Sequence, residues 1–426
     1  MQIVVVGGGL AGLTTAWLLE HDHETILLEA QAELGGHVRS ATTLHHGVEC
    51  AVDLGAQDFS TAMFPRHARL IQLMGLAAEV VQVPTSVTIQ VPDLPVPLLV
   101  TPDDTRGGIL GAAGDALALL TRAAVGWDAE GVSWERSYAD LVEPLPVADE
   151  LKRTVLYAPI AALYGCGIEE ARQVSGRAAT AVLARGAAPV AGEPVRWQNL
   201  VGGLARLIRA IAVNLLATTI RTGSEITRME SGDRRWTLTV GSGQVYQADQ
   251  VVLAVPPPRC LRLTRQLPRT DRLNSALAGF RYLPSTTGLH LDPAYLPARA
   301  DLWSTSNLTV YREYADSTAW YGPITGAQVF RSQLTHRPRL PERLVATADF
   351  EQLCPDAAAV RGRRVLADHQ GRDGLWFAGH HLADIDSQET AVNSAIDIAT
   401  RLAPDSHRLR MLNEEVGHDQ RQGRQA

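Results

Sequence analysis

The chain has 426 residues, of which 46% are hydrophobic and 20% charged, and it carries a formal charge of -7. This length exceeds one ordinary domain and the composition is that of a globular protein, so two packed domains are expected. The acidic balance argues against nucleic acid or an anionic membrane surface as partner, since both need a basic footprint. Cys50, Cys166, Cys260 and Cys354 are dispersed and form no C-x-x-C, so reduced, buried thiols are expected rather than a metal site or a disulfide scaffold. The N-terminus lacks the basic region of a signal peptide, and a cytoplasmic location is the expectation.

Gln2-Ile3-Val4-Val5-Val6 reads as a buried parallel strand and runs straight into Gly7-Gly8-Gly9-Leu10-Ala11-Gly12. Leu10, Leu13, Thr14, Trp17 and Leu18 recur at helical spacing, and Glu24 to Glu29 supplies a second strand ending in an acid. This β-α-β unit with G-x-G-x-x-G fits a dinucleotide site. Gly7 permits the tight turn, Gly9 the approach of a pyrophosphate and Gly12 close packing of helix on strand. The helix start at Leu10 and Ala11 offers free N-H groups, and Glu29 stands at the spacing of a ribose-binding acid. An ordinary strand-to-helix turn is the plainer alternative, but it does not explain why strand, glycines, helix and acid agree.

From Glu29 through Gln31-Ala32-Glu33-Leu34 to Gly35-Gly36-His37 the chain resembles the extended fingerprint E-x(5)-G-G-[RH] of the FAD-binding superfamily that includes amine oxidases, phytoene desaturases and protoporphyrinogen oxidase. The resemblance implies FAD as cofactor, with Gly35, Gly36 and His37 closing a second stretch of backbone over the diphosphate. Asp53-Leu54-Gly55-Ala56 resembles the D-x-G-A segment that lies against the flavin in these relatives, which implicates Gly55 and Ala56. Gln57, next in line, is a candidate to hydrogen-bond the flavin edge or the substrate. Its alternative is a satisfied turn residue.

Further along, Pro65 to Leu76 has helical spacing, and Val80 to Val100 alternates between prolines as edge strands do. The alanine-rich stretch Gly108 to Gly126 is interrupted by Asp115 and Arg122, so a buried helix is expected there rather than a membrane span. Ser137 to Arg177 reads as helical, the kind of insertion that caps a substrate pocket in this superfamily. A helix after Gly202-Gly203 leads to an expected strand from Thr218 to Arg228, where the resemblance places Ile226 on the adenine. A hairpin and the buried strand Asp249 to Pro257 return the chain to the first sheet. Leu277 to Leu308 is similar to a bacterial subgroup of predicted NAD/FAD-binding, amine-oxidase-like proteins, whereas Val310 to Val365 matches little.

The expected fold is an α/β FAD-binding Rossmann-like domain of glutathione-reductase-like topology with a discontinuous α+β substrate domain. Residues 1-80, 200-270 and 365-404 are assigned to the first and residues 81-199 and 271-364 to the second. A flexible tail is expected over 405-426.

Near the C-terminus, Gly374 to His380 reads as a strand ending in glycine, and Ser387 is a plausible N-cap for a helix from Gln388. Relatives carry F-x-G-[DE] followed by E-G-A-x-x-S-G, which implicates Gly379, Thr390 and Ala391 in holding the flavin. The backbone of Thr390 and Ala391 is assigned the negative charge that develops on the reduced ring. This chain departs by having His380, Thr390 and Ala395 at those positions. His380 and His381 are candidates for base or proton relay, with a structural role as the alternative. Many relatives use a substrate-domain lysine, but the one lysine here, Lys152, falls in the helical insertion. Carbon-carbon dehydrogenation therefore gains over amine oxidation.

The expected function is an FAD-dependent oxidoreductase that removes a hydride from a small, rather apolar substrate and passes electrons to an unknown acceptor. A redox-neutral isomerase and a non-catalytic FAD-binding protein are the alternatives. No metal, nucleic acid or membrane span is expected.

Overall fold

The computed structural model describes residues 1-45, 47-102, 107-186, 195-232, 235-383 and 385-414. The β-branched strand Gln2–Val6 lies at the centre of a five-stranded parallel sheet in the order Leu375–Phe377, Gln250–Leu253, Gln2–Val6, Glu24–Leu28 and Thr219–Arg221. Alternation sends Ile3 and Val5 to one face and Val4 and Val6 to the other, and each enters a different apolar cluster. Such full burial contributes about 1.5–3 kcal/mol per large apolar side chain. Helices Leu10–Leu19, Ala205–Val213 and Gln388–Leu402 cover the first face. A three-stranded antiparallel sheet, Ile226–Ser231, Trp236–Val240 and Val245–Ala248, covers the second.

A second, seven-stranded sheet runs Leu344–Cys354, Arg281–His290, Phe330–Gln333, Ala315–Trp320, Ser306–Val310, Val87–Gln90 and Leu99–Val100. The pairings Leu283 with Gln352, Ser285 with Phe350, Thr287 with Gln333 and Leu289 with Arg331 put these residues on one face. That face meets the first unit, for Thr287 Oγ1 donates to the Leu54 carbonyl at 2.8 Å. Above it lies the Ala158–Tyr164 helix, whose Ala162 carbonyl accepts from Gln333 Nε2 at 2.6 Å.

Two expectations change. The strand from Thr218 to Arg228 is two strands, Thr219–Arg221 in the parallel sheet and Ile226–Ser231 in the small one. Between them the amides of Gly223 and Ser224 bond to the carbonyls of Gln31 and Glu29, which turns the chain out of the first sheet. The region from Ser137 to Arg177 is mostly helical as expected, in Tyr138–Val142, an unbroken run over 149-164 and Ile168–Ala171. Pro144 and Pro146 follow Tyr138–Val142, and Gly165, with φ of 65°, ends Ala158–Tyr164.

The tail is also ordered further than expected. Residues His407–Asn413 form a helix that buries Leu409 and Leu412, and Arg408 Nη1 reaches Glu20 Oε1 at 2.6 Å. Residues 415-426 lie outside the described part. No helix among the described residues is long and apolar enough to cross a membrane, and none of their His, Cys, Asp and Glu groups could hold a metal ion.

Candidate active site

The loop from Gly7 to Gly12 forms the first wall of the site. Gly9 is the N-cap of the Leu10–Leu19 helix and no side chain caps that end. An added Cβ on Gly9 would find no atom closer than 3.9 Å, whereas one on Gly12 would run into the Gly7 carbonyl. The first position therefore has room for a side chain in contact with the Gly35-Gly36 backbone, and the second is needed for helix to pack on strand. Glu29 is fixed beside the loop by two backbone donors, Gly8 N at 2.6 Å and Gln31 N at 2.7 Å. Gly35 N donates to the Gly8 carbonyl at 2.8 Å, so the second glycine pair lies across the first. An uncapped helix start, backbone with no side chains in the way and a held carboxylate together fit the diphosphate and ribose of a dinucleotide.

The chain continues from Gly36 through His37 into a turn that is stitched to the Asp53 to Asp58 segment. Leu54 N bonds to Arg39 O and Ala56 N to His37 O, both at 2.8 Å, and a Cβ on Gly55 would strike that same His37 carbonyl. Gly35, Gly36, His37, Gly55 and Ala56 are thus one surface. Leu54 O also accepts from Arg331 Nη2 at 3.0 Å, which ties the turn to the seven-stranded sheet.

Gln57 lies where the two sheets and the last long helix meet. Its carbonyl accepts from Gln388 Nε2 at 2.6 Å, and its own Nε2 donates to Tyr321 Oη at 3.1 Å. Next to it, Asn199 Nδ2 bridges Asp53 Oδ2 at 3.0 Å and Asp58 Oδ1 at 2.9 Å. Burial pushes the Asp58 carboxyl up to about 6, and the nearby Asp53 adds to this while Asn199 opposes it. A carboxyl there changes charge near neutrality.

On the other side stands His380. Its Nδ1 is 2.6 Å from Asp386 Oδ1, and Gln352 Nε2, on the inward face of the seven-stranded sheet, donates to Asp386 Oδ2 at 3.0 Å. The His380 ring is 5.8 Å from that of His37 and 6.5 Å from that of Tyr282. Burial disfavours a charged His380, yet Asp386 outweighs it and raises the pKa. His37 is driven down to about 4 by burial and by the charge on His380. The cluster therefore favours positive charge on His380, beside the Asp386 carboxylate, over charge on His37.

His381 does not share that position. Its ring turns toward Phe280, with centroids 5.9 Å apart, and burial keeps it well below an ordinary histidine. Gly379, at φ of 142°, donates its N-H to Ser394 Oγ and joins the parallel sheet to the last long helix. At the start of that helix, Thr390 N donates to Ser387 Oγ and Ala391 N to the Ser387 carbonyl, so both amides are engaged in the cap. The helix instead presents the Gln388 side chain. Ile226 is buried at the mouth of a β-bulge, where pairing with Val240 is irregular.

Asp58, Tyr321, Arg331, Gln352 and Asp386 were missed in the sequence. Asp386 carried a faint signal, a carboxyl between a His-His pair and a helix cap. Arg331 and Gln352 reach the site from strands whose register no local pattern reveals, Tyr321 from the turn that follows the Ala315–Trp320 strand, and Asp58 from the loop beside Gln57. Lys152 lies elsewhere, with Nζ on the Glu143 carbonyl at 2.8 Å.

Residues 10-291 match the family model for flavin containing amine oxidoreductase. Coproporphyrinogen III oxidase of Mycobacterium leprae (strain TN) is 30% identical over 298 residues, which is 62% of this chain and 62% of that protein's length. Cyclohexylamine oxidase from Brevibacterium oxydans IH-35A superposes with a TM-score of 0.67 at 16% identity, covering 95% of this chain and 98% of the other. The CLA-producing fatty acid isomerase from P. acnes gives 0.68 at 14% identity, covering 94% and 98%. At such identity the two solved structures show a shared fold.

Proposed function

Because the chain belongs to the flavin-containing amine oxidoreductase family and is an FAD-dependent oxidoreductase, we propose that it removes a hydride from a carbon-carbon unit of a small, rather apolar substrate, with His380 and Asp386 handling the accompanying proton. FAD, when bound, supplies the hydride acceptor. Gly7, Gly9, Leu10, Ala11 and Gly12 would hold its diphosphate with Gly35, Gly36 and His37, and Glu29 its ribose. Gly55, Ala56 and Gly379 would line the remainder, and Ile226 would meet the adenine. The N-terminal end of the Gln388–Leu402 helix would offset charge on the ring through its dipole, with the Thr390 and Ala391 amides held in the cap.

The observation that carries the reading is the position of His380. It stands between His37, at the end of the cofactor loop, and Gln352 with Tyr282, on the substrate sheet. An imidazole held by a carboxylate can take a proton when neutral and give one when charged, beside the reacting carbon, while Gln57 and Tyr321 orient the substrate. The glutathione-reductase-like topology, the division at residues 1-80, 200-270 and 365-404, and a cytoplasmic location belong to the same proposal.

Carbon-carbon dehydrogenation is preferred to amine oxidation because Lys152 is spent on Glu143, and because the curated relative is named for oxidising a porphyrinogen. The test is anaerobic addition of a small saturated ketone, cyclohexanone, or of cyclohexylamine to the FAD-loaded protein. Bleaching of the flavin by the ketone and not by the amine is expected; bleaching by the amine alone overturns the preference. Substrate conversion with no net bleaching would point to the redox-neutral isomerase.

A further inference from the structure

Cys166 and Cys354, separated by most of the substrate unit in sequence, meet in the structure. Cys166 follows the Ala158–Tyr164 helix of the cap and Cys354 ends the Leu344–Cys354 strand of the seven-stranded sheet. Both lie in one buried apolar cluster, close enough for each thiol to perturb the ionisation of the other. Arg281, paired with Cys354 across the sheet, directs Nη2 to Cys354 Sγ at 3.2 Å and Nη1 to Glu170 Oε1 at 2.9 Å. Cys50 and Cys260 are also buried, but Cys260 gives its thiol to the Val255 carbonyl. Cys354 differs from Cys260 in meeting a guanidinium and in sharing its apolar cluster with a second cysteine.

The electrostatics agree with it. The neighbouring Cys166 thiol, and after it Arg281, hold Cys354 below the usual thiol range against the opposing effect of burial. Cys166 is pushed up by Cys354 and by burial, so Cys354 is the more readily ionised of the two sulfurs. The pair lies one side chain beneath the surface, because the Arg281 side chain that covers it is 40% exposed.

We propose that Cys354 and Cys166 form a peroxide-oxidisable dithiol that locks the helical cap onto the substrate sheet. The Cys354 thiolate attacks a hydroperoxide; an S-O bond forms, the O-O bond breaks, and the leaving oxygen departs as water or alcohol once protonated. Cys166 then attacks the sulfenic sulfur; the S-S bond forms, the S-O bond breaks, and a second water leaves with the thiol proton. Two thiols are oxidised and one peroxide bond is reduced. The disulfide would join the cap where it is already tied by Ser175 N to the Pro355 carbonyl at 2.7 Å. It would thus restrain the opening of the cap over the inward face of the sheet, whichever substrate the enzyme takes.

The experiment is graded hydrogen peroxide on the FAD-loaded full chain, followed by alkylation in denaturant and peptide mass spectrometry. A cross-linked peptide pair containing Cys166 and Cys354 is expected before any oxidation of Cys50 or Cys260. In Cys166→Ser, a dimedone adduct at Cys354 should replace it. Arg281→Gln should slow alkylation of Cys354 several-fold near neutral pH and shift its pH profile upward, a change that a packing role for Arg281 alone would not cause. Recovery of both cysteines as free thiols in the wild type after peroxide, or prior oxidation of Cys50 or Cys260, would overturn the proposal.

Discussion

His380 Nδ1 lies 2.6 Å from Asp386 Oδ1, and only 20% of each side chain is exposed. Each partner moves the other. Asp386 raises His380, and His380 keeps Asp386 below an ordinary carboxyl although burial alone would raise it. The pair couples the charge of the site to its stability.

The sign follows from the two shifts. A raised histidine stabilises the fold fully below its unfolded pKa of about 6.5, and that contribution is lost as pH rises through the folded value. A lowered aspartate stabilises above about 3.9 and loses that contribution as pH falls through its folded value. Asp386→Asn should therefore cost most between these limits, on the order of 1–3 kcal/mol for a partner left buried. Urea unfolding at about pH 5.5 and about pH 8.5 should show the larger difference from wild type at the lower pH.

Asp58 predicts the opposite behaviour. Burial pushes its carboxyl up to about 6 in the folded chain, above the ordinary aspartate value of 3.8, so ionisation works against folding. The cost is absent below the unfolded pKa, grows as pH rises through the window and is complete above the folded value. Asp58→Asn should stabilise the protein by up to about 3 kcal/mol at about pH 8 and by little at about pH 3.5. Equal gains at both values would refute the charge as the cause.

Gly9 and Gly12 separate cofactor binding from folding. Gly9 has extended backbone and room for a Cβ, so Gly9→Ala should keep its unfolding midpoint while retaining at least about tenfold less flavin. Gly12→Ala, with its Cβ against the Gly7 carbonyl, should lose stability as well. Circular dichroism melts and the flavin absorbance of the purified variants distinguish the two. A Gly9→Ala protein with a full complement of flavin would remove the loop from the site.

The cradle was legible because its chemistry is local. The run from Gln2 to Glu29 brings strand, glycines, helix and acid together within one supersecondary unit, and nothing distant is needed to complete it. The facing wall was not. Gln352 reaches Asp386, and Tyr321 reaches Gln57, only through the register of the seven-stranded sheet, and register depends on long-range pairing. The strand expected from Thr218 to Arg228 failed for a similar reason, since Gly223 turns the chain to satisfy carbonyls on the Glu29 to Gln31 segment. The tail helix was hidden too, because Leu409 and Leu412 are two apolar residues in a polar stretch and gain their burial from the Leu10–Leu19 and Pro65–Leu73 helices.

The most direct test of a proton-handling His380 needs no substrate. The midpoint potential of the bound flavin is measured from about pH 5 to about pH 9 in wild type and in His380→Asn. A histidine poised beside the ring predicts a change of slope at a pH above the ordinary histidine value in the wild type, and its disappearance in the variant. Superimposable curves would contradict it.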